Sequence, residues 1–433
     1  MSDLTIDHIR DPLWTRPTII EPGNPFTVLL DLPNECYESL AIRVVSRWSA
    51  RELTIECIRP ASAPGLYRVR VATPADLVPD RYELEIAWPG GADRMPGAVV
   101  VSPSDRTRFR VVHIADPHVS SVMTDEPGAA LANVVDQLAV LDPDLVLVTG
   151  DLVYRYGPDK EVLSATTIDH DLSLAQSLLL KIDAPLCLTA GNHDLAYPWL
   201  RRRYRARFAR PIDGDADAYD VRLGEVSFHT VEAYRYYEAD PPVDAAVGPN
   251  AQQLEALRRG LDAASDVSTR VMFYHYDYNG VLDAVFDAFS VDLALCGHTT
   301  PMVEESIGTT PTLTIRDLPV FEDGHVRLLE FEQGELTRNV WWRSSKYAHG
   351  RPVGVTFDRP NDGTERRNRA TVYNRTDHAF EDCRIRFELR AGAYSMSNGT
   401  CGRQADTGNG TTTCDVRVDL ASDSVKRIAV EPR

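Results

Sequence analysis

The sequence predicts a layered α/β domain in the middle of the chain, with an all-β, immunoglobulin-like sandwich on either side. Three observations predict it. Up to about Asp105 the chain is a series of short apolar or alternating runs separated by Pro, Gly and Asp, the pattern of evenly spaced strands. From about Arg106 to Ser345, strand-like runs alternate with helix-like ones, which is the signature of α/β layers. From about Gly350 the pattern is β-rich again. The expected domains are therefore 1–105, 106–345 and 350–433, a division that a length of 433 residues accommodates.

In the first segment the expected strands are Phe26 to Leu30, Ala41 to Val45, Leu53 to Cys57, Leu66 to Val71 and Tyr82 to Trp88. Leu66-Tyr67-Arg68-Val69-Arg70-Val71 alternates with period two, one face in and one face out. In the middle segment, strands are expected at Phe109 to Ile114, Leu145 to Val148, Leu186 to Thr189, Val271 to Tyr274 and Leu293 to Cys296. Between them, Leu131, Val134, Val135, Leu138 and Leu141 recur at helical spacing. So do Leu172, Ala175, Leu178, Leu179 and Ile182, then Leu254, Leu257 and Leu261, then Val281, Leu282, Val285, Phe286 and Phe289. Val326 to Phe331 and Glu335 to Trp342 read as a closing hairpin across Gln333-Gly334. The last segment offers Val353 to Phe357, Ala370 to Tyr373, Cys383 to Leu389, Cys414 to Leu420 and Val425 to Val430.

Composition narrows the function classes. The net charge is −18, which argues against general affinity for nucleic acid or anionic lipid. No apolar stretch approaches the roughly 20 residues that span a bilayer. The start, Met1-Ser2-Asp3-Leu4-Thr5, lacks the basic-then-apolar pattern of an export signal, so a cytoplasmic protein is expected. Only Lys160, Lys181, Lys346 and Lys426 are lysines. A high-salt cytoplasm and a GC-rich genome both account for that bias. None of the seven cysteines has zinc-knuckle spacing. Cys187 and Cys296 sit in apolar runs and read as buried thiols, while Cys401 and Cys414 flank a loop that a disulfide could close.

The chemistry sits in five polar clusters, each directly after an expected strand. They are Asp116-Pro117-His118, Gly150-Asp151, Gly191-Asn192-His193-Asp194, His275 and Gly297-His298. Loops at the carboxyl ends of strands in an open α/β sheet converge in space. Singly, each cluster is an ordinary turn or a structural histidine. Together, in order, they form a ligand set of carboxylates, an amide and imidazoles. That mixture suits Mn, Fe, Zn or Co better than Ca or Mg alone. Gly150, Gly191 and Gly297 let the backbone bring the next side chain close to an ion.

This order of motifs resembles the calcineurin-like metallophosphoesterases over roughly Val111 to Thr300, and the prokaryotic phosphodiesterase-like members most. The resemblance implies a four-layer α/β/β/α sandwich that holds two divalent ions. It implies Asp116 and His118 on the first metal, Asp151 bridging both, and Asn192, His275 and His298 completing the second. His193 would stand near the leaving group as the catalytic acid, with Asp194 as its adjacent carboxylate. A metal-bound hydroxide would attack phosphorus in line. The implied substrate is a phosphorylated small molecule, a phosphodiester or a nucleotide. The terminal β domains could recognise a protein partner or shield the rim of the site.

Two departures stand out. The resembled family ends on Gly-His-x-His, and here Thr300 fills the last place, which weakens the first metal site. Asp277, His113, His229 and Glu232 are candidate substitutes. Tyr154 stands where the Ser/Thr phosphatases carry a nearby Asp. The rival reading is a degenerate scaffold with one metal or none that serves as a binding protein. Arg201-Arg202-Arg203-Tyr204-Arg205 reads as a basic helix face, Tyr234-Arg235-Tyr236-Tyr237 as an aromatic cluster, and Trp341-Trp342 as packing at the C-terminal junction.

Overall fold

A computed structural model describes residues 4–61, 63–103, 105–209, 218–232, 249, 251–276, 282–298, 304–307, 310–314, 324–344 and 351–433. The middle of the chain forms two sheets. The first is ordered Leu186–Thr189, Leu145–Thr149, Arg108–Ile114, His325–Glu332 and Glu335–Arg343. Its first three strands are parallel, and the closing hairpin is antiparallel. The second sheet is ordered Ala218–Leu223, Val226–Val231, Thr269–Tyr274, Leu293–Cys296, Thr310–Thr314 and Glu304–Ile307. Its four inner strands run parallel.

Alternation along each strand builds the layers. Phe109, Val111, Leu145 and Leu147 meet Phe228, Val271, Phe273 and Leu295 between the sheets. Their neighbours one residue on, Val112, Ile114, Val146 and Val148, pack outward. There they meet Leu131, Val134 and Leu138 of helix Ala129–Leu141, and Leu172, Ala175 and Leu179 of helix Ala165–Leu179. On the far side Met272, Tyr274, Ala294 and Cys296 pack with Leu257 and Leu261 of helix Ala251–Ala263 and Phe286 of helix Asp283–Phe289. The order of layers is helix, sheet, sheet, helix.

The first segment adds two sheets. One is antiparallel, ordered Ile9–Asp11, Phe26–Asp31, Leu66–Ala72 and Thr54–Pro60. The other contains Thr18–Ile20, Gly91–Val101, Asp80–Trp88, Ala41–Val45 and Ala50–Glu52, with the first pair parallel. The last segment has a four-stranded sheet and a three-stranded sheet centred on Asn368–Asn374 and Thr411–Leu420. One apolar cluster runs through all three segments, from Ile6 to Val430.

The junctions are specific. Near the N-terminus, Leu188 donates its backbone N–H to the Thr15 carbonyl at 3.0 Å, which covers the outer edge of strand Leu186–Thr189. Trp342 is buried, donates Nε1–H to Gln137 at 2.9 Å, and meets Phe380 of the last segment edge-on at 5.3 Å. Of the pair expected to pack there, Trp342 does, whereas the Trp341 side chain is exposed. Asp142 and Asp183 of the middle segment pair with Arg384, Arg386 and Arg417 of the last. All seven cysteines are free thiols, Cys401 and Cys414 included. No helix among the described residues is long and apolar enough to cross a membrane.

Candidate metal centre

All the parallel strands of both sheets end at one edge of the sandwich, so the five polar clusters meet there. The approach is close. A Cβ on Gly150 would lie 2.5 Å from the Gly191 nitrogen, one on Gly191 would overlap Asp151, and one on Gly297 would lie 2.5 Å from Asp116 Oδ2. The glycines are therefore steric requirements of the site. Asp116, His118, Asp151 and His298 all hold φ between 43° and 66°. This left-handed region is sparsely populated by non-glycine residues, and such strain gathers at functional sites.

Two groups of ligand atoms form, each with its members within 4.8 Å of one another: His118 with Asp151 and His193, and Asp151 with His275 and His298. Asp151 belongs to both. His118 Nε2 and His275 Nε2 lie 3.2 and 3.3 Å from Asp151 Oδ2. Asn192 Oδ1 lies 2.9 Å from His275 Nε2. Asp116 Oδ1 is 4.0 Å from His118 Nε2 and from His275 Nδ1, and Asp116 Oδ2 accepts the His298 backbone N–H at 3.0 Å. Every side chain that the sequence placed at the metals is thus within one cluster.

Hydrogen bonds separate the histidines by role. His275 Nδ1 faces the Thr149 carbonyl at 2.7 Å, so Nδ1 carries the proton and the Nε2 lone pair is left for a ligand bond. His193 has the opposite arrangement. Its Nδ1 accepts the Arg155 backbone N–H at 3.3 Å, which leaves the proton of the neutral ring on Nε2. His193 therefore offers a hydrogen into the site rather than a lone pair, despite its closeness to His118 and Asp151.

The electrostatics call for a cation. Burial alone would keep His275 neutral, but the carboxylates of Asp151 and Asp116 outweigh it and push its pKa up to about 10. Burial also works against the Asp151 carboxylate, yet His275, His193 and His118 hold it well below the usual range. His193 goes the other way, pushed down to about 3 by burial, with His118 and Arg155 adding to the fall. A buried anionic centre that draws a proton onto a ligand histidine is a fit place for divalent metal, and the donor set of carboxylate, imidazole and amide matches.

Asp194, the carboxylate next to His193 in the chain, turns to the backbone. Its Oδ1 accepts the Leu152 backbone N–H and its Oδ2 accepts that of Gly191, both at 2.9 Å. It ties two ligand loops together and is not bonded to the His193 ring. Burial, then Asp151, push its pKa up to about 7. Two of the candidate substitutes face the interior. His113 Nε2 faces the Thr149 hydroxyl at 2.9 Å and His229 Nε2 that of Ser227 at 2.8 Å, so both serve the interior. Glu232 is buried, and its carbonyl accepts from the Gln253 side chain. Asp277, Thr300 and the cluster Tyr234 to Tyr237 lie outside the described residues.

Other side chains at the site were not assigned from sequence. Tyr154 stacks on His193 with centroids 4.9 Å apart, and Tyr276 stacks on His298 at 3.9 Å. Arg155 is 2% exposed and donates to the Asn192 carbonyl at 2.8 Å. The available signal was position alone: Tyr154 and Arg155 follow Gly-Asp, and Tyr276 follows His275. The basic face of helix Pro198–Arg207 is partly neutralised, since Arg203 and Arg207 pair with Asp169 at 2.7 and 3.1 Å.

Among solved structures, the chain is similar to a Staphylococcus aureus protein assigned as a 5′-nucleotidase, at 14% identity and a TM-score of 0.39, covering 56% of this chain and 55% of that one. It is similar to a sulfate thiohydrolase of Thermus thermophilus, at 14% identity and a TM-score of 0.37, covering 54% and 56%. It is also similar to an archaeal phosphodiesterase, at 13% identity and a TM-score of 0.30, covering 54% of this chain and all of that one. The chain thus spans little more than half the length of the first two. No curated protein matches it significantly. Residues 109–302 match the model of the calcineurin-like phosphoesterases, a stretch that holds all five ligand loops, so the chain carries a calcineurin-like phosphoesterase domain.

Proposed function

We propose that the protein is a metal-dependent phosphoester hydrolase acting on a phosphodiester or a nucleotide. The observation that carries the reading is Asp151, whose Oδ2 lies 3.2 Å from His118 Nε2 and 3.3 Å from His275 Nε2, between the candidate ligands of two ions. Asp116, His118 and Asp151 would hold one ion; Asp151, Asn192, His275 and His298 would hold the other. Paired divalent ions of this kind activate water and neutralise charge on the phosphoryl oxygens. The Thr149 carbonyl keeps His275 in the ligating tautomer. His193, with its hydrogen on Nε2, would offer a hydrogen-bond donor to the oxygen that leaves phosphorus. Asp194 keeps the Asp151 and Asn192 loops in register through two backbone amides.

A scaffold without metal would have no use for a buried carboxylate cluster that recruits positive charge; the rival with a single ion is separated from this reading by metal stoichiometry and turnover. The test is hydrolysis of bis-p-nitrophenyl phosphate by purified protein, with metal content measured in parallel. Mn²⁺-dependent turnover is expected, with a loss of at least about a hundredfold in Asp151→Asn. Full activity in Asp151→Asn, or turnover that survives chelation, would overturn the proposal.

A further inference from the structure

Arg155 is a cation buried beside a centre that attracts positive charge, and it belongs to neither group of ligand atoms. Burying a guanidinium is costly unless its donors are used, so its partners show what it holds. Nη1 donates to the Asn192 carbonyl at 2.8 Å. The guanidinium lies over the Tyr156 ring, 4.8 Å from the centroid. The Arg155 backbone N–H donates to His193 Nδ1 at 3.3 Å. One residue of the Asp151 loop therefore grips both Asn192 and His193.

The Asn192 carbonyl and the His193 N–H belong to one planar peptide unit. Its N–H donates to Asp151 Oδ1 at 2.7 Å, and its carbonyl accepts from Arg155. The peptide is held at both ends, which resists its rotation and gives the two side chains it joins fixed directions. Arg155 is itself seated by a small backbone hairpin. Its carbonyl accepts the Leu163 N–H at 3.0 Å, and Gly157 donates to the Glu161 carbonyl at 2.9 Å. Tyr156 pairs with Val162 across the same hairpin.

We propose that Arg155 is a positioning residue that fixes the tautomer of His193. The guanidinium holds the Asn192–His193 peptide, and the peptide holds the ring against the Arg155 amide. That amide keeps the proton off Nδ1 and on Nε2. At 3.3 Å the amide contact is long, so the ring depends on the second grip to stay in place. Without the guanidinium the peptide keeps the Asp151 bond at its N–H end and loses the restraint at its carbonyl. The ring can then leave the amide and carry its proton on Nδ1 instead. The catalytic meaning of this rests on the reading of His193 as the donor to the departing oxygen.

The experiment is ¹⁵N NMR of the histidine rings in the metal-free full chain, with His193→Gln identifying the His193 signals. In the parent, His193 is expected as the single Nε2–H tautomer. In Arg155→Met its two ring nitrogens should move toward a common averaged shift, while the interior rings of His113 and His229 keep theirs. Arg155→Gln places its amide where Nε stood, short of the Asn192 carbonyl, and is the second variant in case Arg155→Met does not fold. An Nδ1–H tautomer in the parent, or parent shifts for His193 in the variants, would overturn the inference. Turnover with Mn²⁺ gives a separate readout. Phenolate keeps its charge on oxygen, whereas p-nitrophenolate passes much of it to the nitro group and needs a donor less. Arg155→Met should therefore slow diphenyl phosphate at least about tenfold more than bis-p-nitrophenyl phosphate. Equal losses for the two esters would also count against the inference. No turnover of either ester by the parent would sink the hydrolase reading, and the metal-free spectra would still decide this one.

Discussion

Asp194 shows how a residue next to the chemistry can matter without touching it. Its two oxygens accept from Leu152 and Gly191, the neighbours of Asp151 and Asn192. An amide in its place keeps one acceptor oxygen and turns the other into a donor facing an N–H. Asp194→Asn should therefore lower metal affinity by about 10–100-fold, the usual cost of disturbing an outer partner, with the ligand residues intact. Titration of metal-depleted protein with Mn²⁺ checks this. Unchanged affinity would mean that the two loops hold their register unaided. Little of this was legible in sequence: Gly-Asn-His-Asp shows a carboxylate beside a histidine, but the turn of helix Asn192–Leu195 aims it at backbone amides.

At the scale of elements, helix Ala129–Leu141 is the hinge of the architecture. Its inner face meets the first sheet, while Gln137 accepts from Trp342 and the Ser344 carbonyl accepts from Gln137. Trp342→Ala would empty a buried site between the middle and last segments. We expect a loss of about 3–5 kcal/mol, read as a lower denaturant midpoint; a loss under about 1 kcal/mol would mean that the junction repacks. The strands carrying ligands were legible because each is an apolar run cut off by a polar motif. The strands that escaped lack that contrast. Gly91–Val101 opens on Gly-Ala-Asp-Arg and contains Pro96, and Thr400–Asp406 has almost no apolar residue. Their partners across the sheet, Asp80–Trp88 and Thr411–Leu420, supply the order that their own sequences do not.

Across the whole molecule, charge is unevenly shared. Residues 351–433 hold fourteen Lys and Arg against twelve Asp and Glu, while the full chain carries −18. The acidic surplus lies in the rest of the chain, and part of it faces the arginines of the last segment. Asp183 is the clearest case. Burial opposes its ionisation, but Arg386, Arg384 and Arg81 hold its pKa below the usual value. A carboxyl depressed in the folded state stabilises above its unfolded pKa of about 3.9 and loses that contribution as pH falls through the folded value. Asp183→Asn should therefore be less stable than the parent at pH 7, and the two should converge in acid. A gap that persists unchanged at about pH 2 would refute this. The gap should be modest, because the Asp183 side chain keeps 44% of its surface in solvent.

The left-handed backbone at Asp116, His118, Asp151 and His298 has a practical consequence for anyone engineering this chain. Glycine adopts that conformation freely, whereas other residues hold it at a cost of order 1–3 kcal/mol. A screen for thermostable variants, run without a test of activity, would be drawn to these four positions. Every gain found there would remove a ligand, so robustness and reactivity compete at the same four peptide units.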